Sequence, residues 1–519
     1  MAKKYDLNDD SVVVVVGSGA GGGTLSNELA QKGIDVVCLE AGPRLTLDDI
    51  VNDGGEMFAK LSWLDKRIGT GDLVPGLPLW VCKTVGGTTV HWAGASLRFQ
   101  EHEWKARSTY GDIPGANLLD WPIEAHEMER FYSTAEDKIG VTGTHGIPRL
   151  PANNNFKVMA LGAKRLGYTQ YHTGNMGINS EPRDGRPACQ QIGFCMMGCA
   201  IGAKWSVLYT EIPKAEATDH FELRPDSMVL KVNHDRSGKV TGVVYADKDG
   251  NTHEQKARIV AIAGNAVETP RLLLNSESSM FPDGLANSSG QAGKNFMRHT
   301  TGAVYGIMPG SVHLDRGTQM AGIIMDESGH DPKRGFAAGY LLQTLPGFGL
   351  AGVVANMSPG AWGREYARDI EQYRNIACMW IVGEDMPQEK NGITLHGSEK
   401  DQYGLPIPVV NFEDHANDLA MRNHAYKAGR AVYEAGGATK VYERLPFAST
   451  HNLGTCRMAA NPRDGVVDAS GRAHDVPNLY ISDGSQFTTG ATENPTLTIV
   501  ALAIRQAGII GDRMAKGEV

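Results

Sequence analysis

Residues 11–40 leave this chain little choice of fold. Ser11 to Val16 is a β-branched run suited to a parallel strand buried on both faces. It leads into Gly17-Ser18-Gly19-Ala20-Gly21-Gly22, a Gly-x-Gly-x-x-Gly turn, and then into a helical stretch from Thr24 to Lys32. A second strand, Asp35 to Leu39, ends on Glu40. Strand, glycine turn, helix, strand and acid in this order form a dinucleotide-binding unit. Gly17 permits the tight turn, Gly19 lets a pyrophosphate approach the backbone, and Gly22 lets the helix pack close to the strand. Glu40 lies roughly twenty residues on, where a carboxylate accepts hydrogen bonds from an adenosine ribose. The fingerprint alone does not separate NAD from FAD.

Further segments fit the same α/β architecture. Ala257 to Ala263 reads as a strand feeding Gly264, and a helix begins over Thr269 to Leu274. Asn478 to Ser482 reads as a strand ending at Asp483, and Thr496 to Ala507 as a buried apolar helix. At 519 residues, two domains or one elaborated α/β domain are expected. The net charge of −9 argues against nucleic acid, which requires a basic face. The start, MAKKYDLNDD, lacks the pattern of a signal peptide. The uncharged stretch Gly335 to Gly363 could span a bilayer by length, but its glycines and prolines read as loop and strand, suited to a lid or contact surface.

Further separated motifs narrow the reading. Ala41-Gly42-Pro43 follows Glu40, and Val85-Gly86-Gly87-Thr88-Thr89-Val90-His91-Trp92-Ala93-Gly94 comes next. Ala263 to Arg271 reads AGNAVETPR, and His451 to Met458 reads HNLGTCRM, with Asp483-Gly484-Ser485 beyond it. In this order they resemble the glucose-methanol-choline (GMC) oxidoreductases. Within that family they are most similar to the catalytic large subunits of bacterial FAD-dependent glucose, gluconate and fructose dehydrogenase complexes. The resemblance implies a Rossmann-type FAD domain assembled from residues 1–100, 200–300 and 450–519. It also implies an α+β substrate domain with an antiparallel sheet, and a cysteine-bearing insertion, over 101–199 and 301–449. FAD contacts are expected at Gly17, Gly19, Gly22, Glu40, Gly87, Thr88, His91, Val229, Asp483 and Gly484.

The implied reaction is oxidation of a sugar or polyol hydroxyl, with a base for the proton and flavin N5 as hydride acceptor. His451 matches the family's catalytic base, and histidine titrates near neutral pH. Asn494, in Thr492-Glu493-Asn494-Pro495-Thr496, matches the second member of the pair; it could equally cap the following helix. His91 matches the position at which some relatives, such as pyranose oxidases, bond a histidine to the flavin 8α-methyl group. The alternative is a histidine that stacks on the flavin edge or hydrogen-bonds to it.

Cys189, Cys195 and Cys199 crowd together, and thiolates this close can share one metal centre. Three ligands suit a 3Fe–4S cluster, and the resemblance implies such a cluster relaying electrons to a cytochrome or quinone. A zinc site completed by His172 and free cysteines with one disulfide are the alternatives. By the same resemblance a small chaperone-like subunit and a cytochrome c subunit are partners, with membrane association through them. That makes the periplasm of a bacterium the expected location and the cytoplasm the alternative. Rival activities on the same fold are an oxygen-using sugar oxidase and a hydroxynitrile lyase.

Overall fold

The structure, a computed structural model, describes residues 4–73, 77–345, 353, 356–357, 360–445 and 451–519. A five-stranded parallel sheet runs in the order Leu479–Ile481, Ile259–Ile262, Val13–Val16, Val36–Leu39, Phe221–Arg224. Val13 stands beside Val36 on one side and Ile259 on the other. The three central strands are buried along their whole length, which is why they are runs of valine, isoleucine and leucine rather than alternating sequences. The expected strands are therefore present, each one to three residues shorter than its sequence pattern.

The first helix spans Ala20–Ala30, starting four residues before the expected Thr24. The glycines that look like loop in sequence are helical, and close packing explains them. A Cβ on Gly21 would lie 1.6 Å from the Ser482 carbonyl oxygen, and one on Gly22 would lie 2.0 Å from that of Gly17. The helix begins while pressed against main chain on two sides. The last helix, Thr496–Ala515, runs eight residues beyond the expected end and packs on Ala20–Ala30 and on Ala125–Ile139.

The helix after the Ile259–Ile262 strand spans Asn265–Asn275 and carries Pro270 inside it. Proline donates no hydrogen bond, so the carbonyl of Ala266, four residues earlier, loses its helical partner. The Thr455 hydroxyl donates to that carbonyl at 2.7 Å, and the group is buried. A motif residue distant in sequence thus repairs the helix.

A six-stranded sheet forms the second layer system. Its order is Lys440–Arg444, Thr300–Ile307, Ile376–Gly383, Tyr340–Thr344, Gly322–Ile324, Tyr171–Thr173, and the described pairings are antiparallel. Helices Asn154–Leu166 and Ala416–Ala435 pack together and against this sheet. The architecture is the α/β class with an added antiparallel sheet that the sequence implies. Within Gly335 to Gly363, Tyr340–Thr344 is a buried strand, while residues 346–352, 354–355 and 358–359 lie outside the described residues. Among the described residues, no helix is long and apolar enough to cross a membrane.

Thr455→Val should lower stability by about 1–3 kcal/mol by orphaning the buried Ala266 carbonyl, while Thr455→Ser should retain most of it. Chemical denaturation of both variants checks this; equal midpoints for Thr455→Val and the unaltered protein would refute the repair.

Candidate active site

The parallel strands end at a cavity of about 170 Å³ that opens to solvent. Gly17, Gly19, Glu40, Gly87, Thr88, Val229, Asp483, Gly484 and His451 all line it. They come from six separate stretches of chain, and the sheet edge gathers them. Gly17 has φ +93°, and a Cβ there would lie 2.4 Å from the Ala263 carbonyl oxygen, so only glycine fits the turn. Gly19 precedes the first helix, whose N-terminus opens onto the cavity and favours a diphosphate. Gly22 is absent from the lining; its place is the helix–strand contact.

Two buried carboxylates tie the walls together. Glu40 accepts from the Ser18 amide at 3.0 Å, the Ser18 hydroxyl at 2.7 Å and the Gly42 amide at 3.0 Å. Burial pushes its pKa up, against these bonds. Asp483 accepts from the Asn265 amide at 2.9 Å and the Ser485 amide at 2.7 Å, and from the Thr269 hydroxyl. It fastens the end of one strand to the start of the Asn265–Asn275 helix. Glu268 and Arg271, also in the lining, were legible only as part of a motif. Burial would raise the Glu268 carboxyl, but Arg67 and Arg271 beside it more than offset this and hold it below its usual range.

His91 does not line the cavity. It is buried, stacked on Trp80 with ring centroids 4.3 Å apart, and its Nε2 has no hydrogen-bond partner among the described residues. Burial, and then the Lys204 ammonium, depress its pKa to about 3, so the imidazole is neutral. Lys204 is itself fully buried and donates to the carbonyls of Val90 at 2.9 Å and of Trp92 and Cys195 at 2.6 Å. One lysine thereby joins the His91 segment to the cysteine loop.

Within that loop the structure departs from the expected cluster. Among the described residues no three histidine, cysteine, aspartate or glutamate side chains are grouped to hold a metal ion, and all seven cysteines are free thiols. Cys189 turns its sulfur to the Gln191 amide at 3.4 Å and the Thr318 hydroxyl at 3.6 Å. Burial raises the Cys195 thiol to about 11. Cys189, Cys195 and Cys199 therefore share a loop but do not form a ligand cage.

His451 lines the cavity, whereas Asn494 is absent from its lining. His451 reaches the cavity, packs near Trp380 with ring centroids 5.8 Å apart, and places Nδ1 2.8 Å from His299 Nδ1. Burial, and then His299, hold its pKa well below the usual histidine value, so it is neutral and able to accept a proton. Asn494 is buried one residue before Pro495, which lines the cavity. Its Nδ2 donates to Gln343 Oε1 at 3.4 Å, and Gln343 Nε2 donates to the Met320 carbonyl at 2.8 Å. Asn494 Oδ1 is left buried without a hydrogen-bond partner among the described residues. It makes no side-chain cap on the last helix, where Pro495 stands at the N-cap.

Three buried acids that sequence reasoning missed fix this wall. Glu103 accepts from the Thr492 amide at 2.7 Å, and Glu384 from the Ala491 amide at 3.2 Å and the Tyr110 hydroxyl at 2.7 Å. Burial, and then Glu493, push Glu103 well up, while burial and Glu103 push Glu384 to about 8. Burial first, and the neighbouring carboxyl second, thus favour the protonated forms. Isolated acids 103, 384 and 493 give no local signal of that convergence.

A parallel sheet whose first turn admits only glycine, facing a histidine across a cavity, is the site of a dinucleotide-dependent oxidoreductase. The chain belongs to the GMC oxidoreductase family, whose N-terminal profile matches residues 47–301 and whose C-terminal profile matches residues 387–503. It is 33% identical to 2-methyl-1,2-propanediol dehydrogenase of Mycolicibacterium austroafricanum, over 98% of this chain and 96% of that protein. It is 28% identical to the fructose dehydrogenase large subunit of Gluconobacter japonicus, over 97% and 98%. Among solved structures, pyridoxine 4-oxidase from Mesorbium loti superimposes with a TM-score of 0.69 at 17% identity, covering 96% of this chain and 99% of that one. GMC oxidoreductases are FAD enzymes, and the site's glycine turn, diphosphate-facing helix and orphaned His91 nitrogen fit that cofactor.

Asp483→Asn should weaken FAD binding by about tenfold to a hundredfold, because an amide nitrogen would face one of its three donors. Titration of apoprotein with FAD, followed by flavin fluorescence, measures it; an unchanged Kd would remove Asp483 from the site's framework.

Proposed function

We propose that this chain oxidises a CH–OH carbon of a sugar or polyol, with His451 as the base. The observation that carries the reading is a neutral, half-buried histidine in the lining of a dinucleotide cavity, held by a second neutral histidine. Bound FAD supplies the acceptor for the hydride. Gly17, Gly19, Gly87, Thr88, Asp483 and Gly484 would hold its diphosphate and ribityl chain, Glu40 and Val229 its adenosine end, and His91 its ring side.

His451 takes the hydroxyl proton. A depressed pKa keeps the imidazole ready to accept it across the neutral range. The amide of Asn494 holds the substrate oxygen, and its orientation is set by Gln343. The sugar or polyol class is supported by the names of the relatives, a diol dehydrogenase and a fructose dehydrogenase.

The finer electron route runs through a 3Fe–4S cluster on Cys189, Cys195 and Cys199 to a cytochrome or quinone. It is supported by the three thiols on one loop and by the likeness to a large subunit, which also favours small and cytochrome c partner subunits in the bacterial periplasm. Against it, among the described residues no three metal-ligating side chains are grouped to hold an ion. An oxygen-using oxidase is the alternative. A covalent bond from His91 Nε2 to the flavin is supported by that nitrogen's lack of a partner.

His451→Ala should keep FAD and slow flavin reduction by the substrate at least a hundredfold, read by anaerobic stopped flow; a rate equal to that of the unaltered enzyme would refute the base. One preparation tests the rest: acid precipitation should leave the flavin in the pellet, and iron analysis should give about three atoms per chain. A colourless pellet removes the tether, and an iron-free active enzyme removes the cluster.

A further inference from the structure

We propose that His299 is a positioning residue that fixes the tautomer of His451, passing to it the polarity of the Gly490 carbonyl. The inference rests on reading His451 as the base and adds how that base is kept in its working form.

The argument starts from an atom that can only accept. His299 Nε2 lies 3.0 Å from the Gly490 carbonyl oxygen, so Nε2 must carry a proton. Burial depresses the His299 pKa to about 4 and holds that of His451 well below the usual value, so each ring carries one proton only. His299 Nδ1 is consequently bare. It faces His451 Nδ1 at 2.8 Å, with the two rings at 87° to one another, so the shared proton belongs to His451 Nδ1. That leaves the lone pair of His451 on Nε2, the nitrogen not engaged by His299. With the opposite tautomer, Nε2 would carry hydrogen and could not take a proton.

The balance of the step is simple. The substrate O–H proton moves to His451 Nε2, and the electron pair leaves the carbon with its hydrogen to oxidised FAD. The ring becomes a cation, and its Nδ1–H bond to His299 becomes a charge-assisted one that favours the charged form.

The surroundings are built to hold His299 in place. Its φ of +66° lies in the left-handed region that few side-chain-bearing residues adopt. Its amide and that of Arg298 both donate to Asp385, at 3.1 and 2.7 Å. On the other side, a Cβ on Gly490 would lie 3.2 Å from His299 Cδ2, so glycine there lets the carbonyl and ring meet. A strained backbone, a buried carboxylate and a glycine contact all converge on one ring that does not line the FAD cavity.

Holoenzyme with ¹⁵N-labelled histidine rings tests the assignment without any substrate, the resonances being assigned through His299→Asn and His451→Asn. A proton on His451 Nδ1 with a bare Nε2, and the reverse on His299, is expected. A proton on His451 Nε2 would overturn the proposal while leaving the base open to its own test. In a second measurement, flavin reduction is followed with 2-methyl-1,2-propanediol and with fructose as probes. His299→Phe should retain FAD and cut the limiting rate tenfold to a hundredfold with little change in KM. His299→Asn, whose amide oxygen can accept from His451 Nδ1, should recover part of it. Reduction of His299→Phe at the rate of the unaltered enzyme would overturn the proposal. Should neither probe reduce the unaltered enzyme, the substrate reading fails and the ring resonances alone decide the tautomer.

Discussion

The site depends first on a steric constraint at the first turn. Between the strand Val13–Val16 and the helix Ala20–Ala30, three pieces of main chain lie closer than any Cβ allows. Gly17 meets the Ala263 carbonyl, Gly21 that of Ser482 and Gly22 that of Gly17. This contact fixes the helix N-terminus over the sheet edge and draws in the ends of two strands hundreds of residues away in sequence. The segments that follow those strands then supply the other walls, Asn265–Arg271 and Asp483–Ser485. The cavity follows from that close approach, since the same glycines that remove side chains also expose backbone N–H groups to a diphosphate.

The second constraint is the burial of ionisable groups with few counter-charges. His91, His299 and His451 are all pushed toward neutrality by desolvation, whereas Glu103, Glu384 and Glu493 are pushed toward their protonated forms. A neutral wall suits a reaction in which a proton and a hydride leave one carbon centre, because fixed charges beside the cofactor would bias both departures. Neutral groups also have definite donors and acceptors, and this lets two backbone carbonyls, of Gly490 and Met320, dictate the orientation of His451 and Asn494.

The parts legible in the sequence are those whose physics is local. The run Val13–Val16, the glycine turn and Glu40 announce themselves because a buried strand and a diphosphate turn impose composition within thirty residues. His451 was legible through its motif, and Asp483 through the strand before it. The start of the first helix was misplaced because glycine signals loop in sequence, whereas here it signals contact. His299 and Gln343 were missed because their roles exist only across 152 and 151 residues, respectively, through bonds no spacing encodes. The cysteine trio shows the converse: close spacing placed three thiols on one loop, yet among the described residues no three metal-ligating side chains are grouped to hold an ion.

The central claim is that a hydroxyl of a sugar or polyol reduces the flavin held in this cavity. Anaerobic mixing of holoenzyme with a panel of polyols and sugars, monitored at the flavin absorbance band, tests it most directly. The account predicts bleaching by at least one of them, at a rate that saturates with concentration. A flavin that dithionite bleaches but every polyol and sugar leaves oxidised would contradict it.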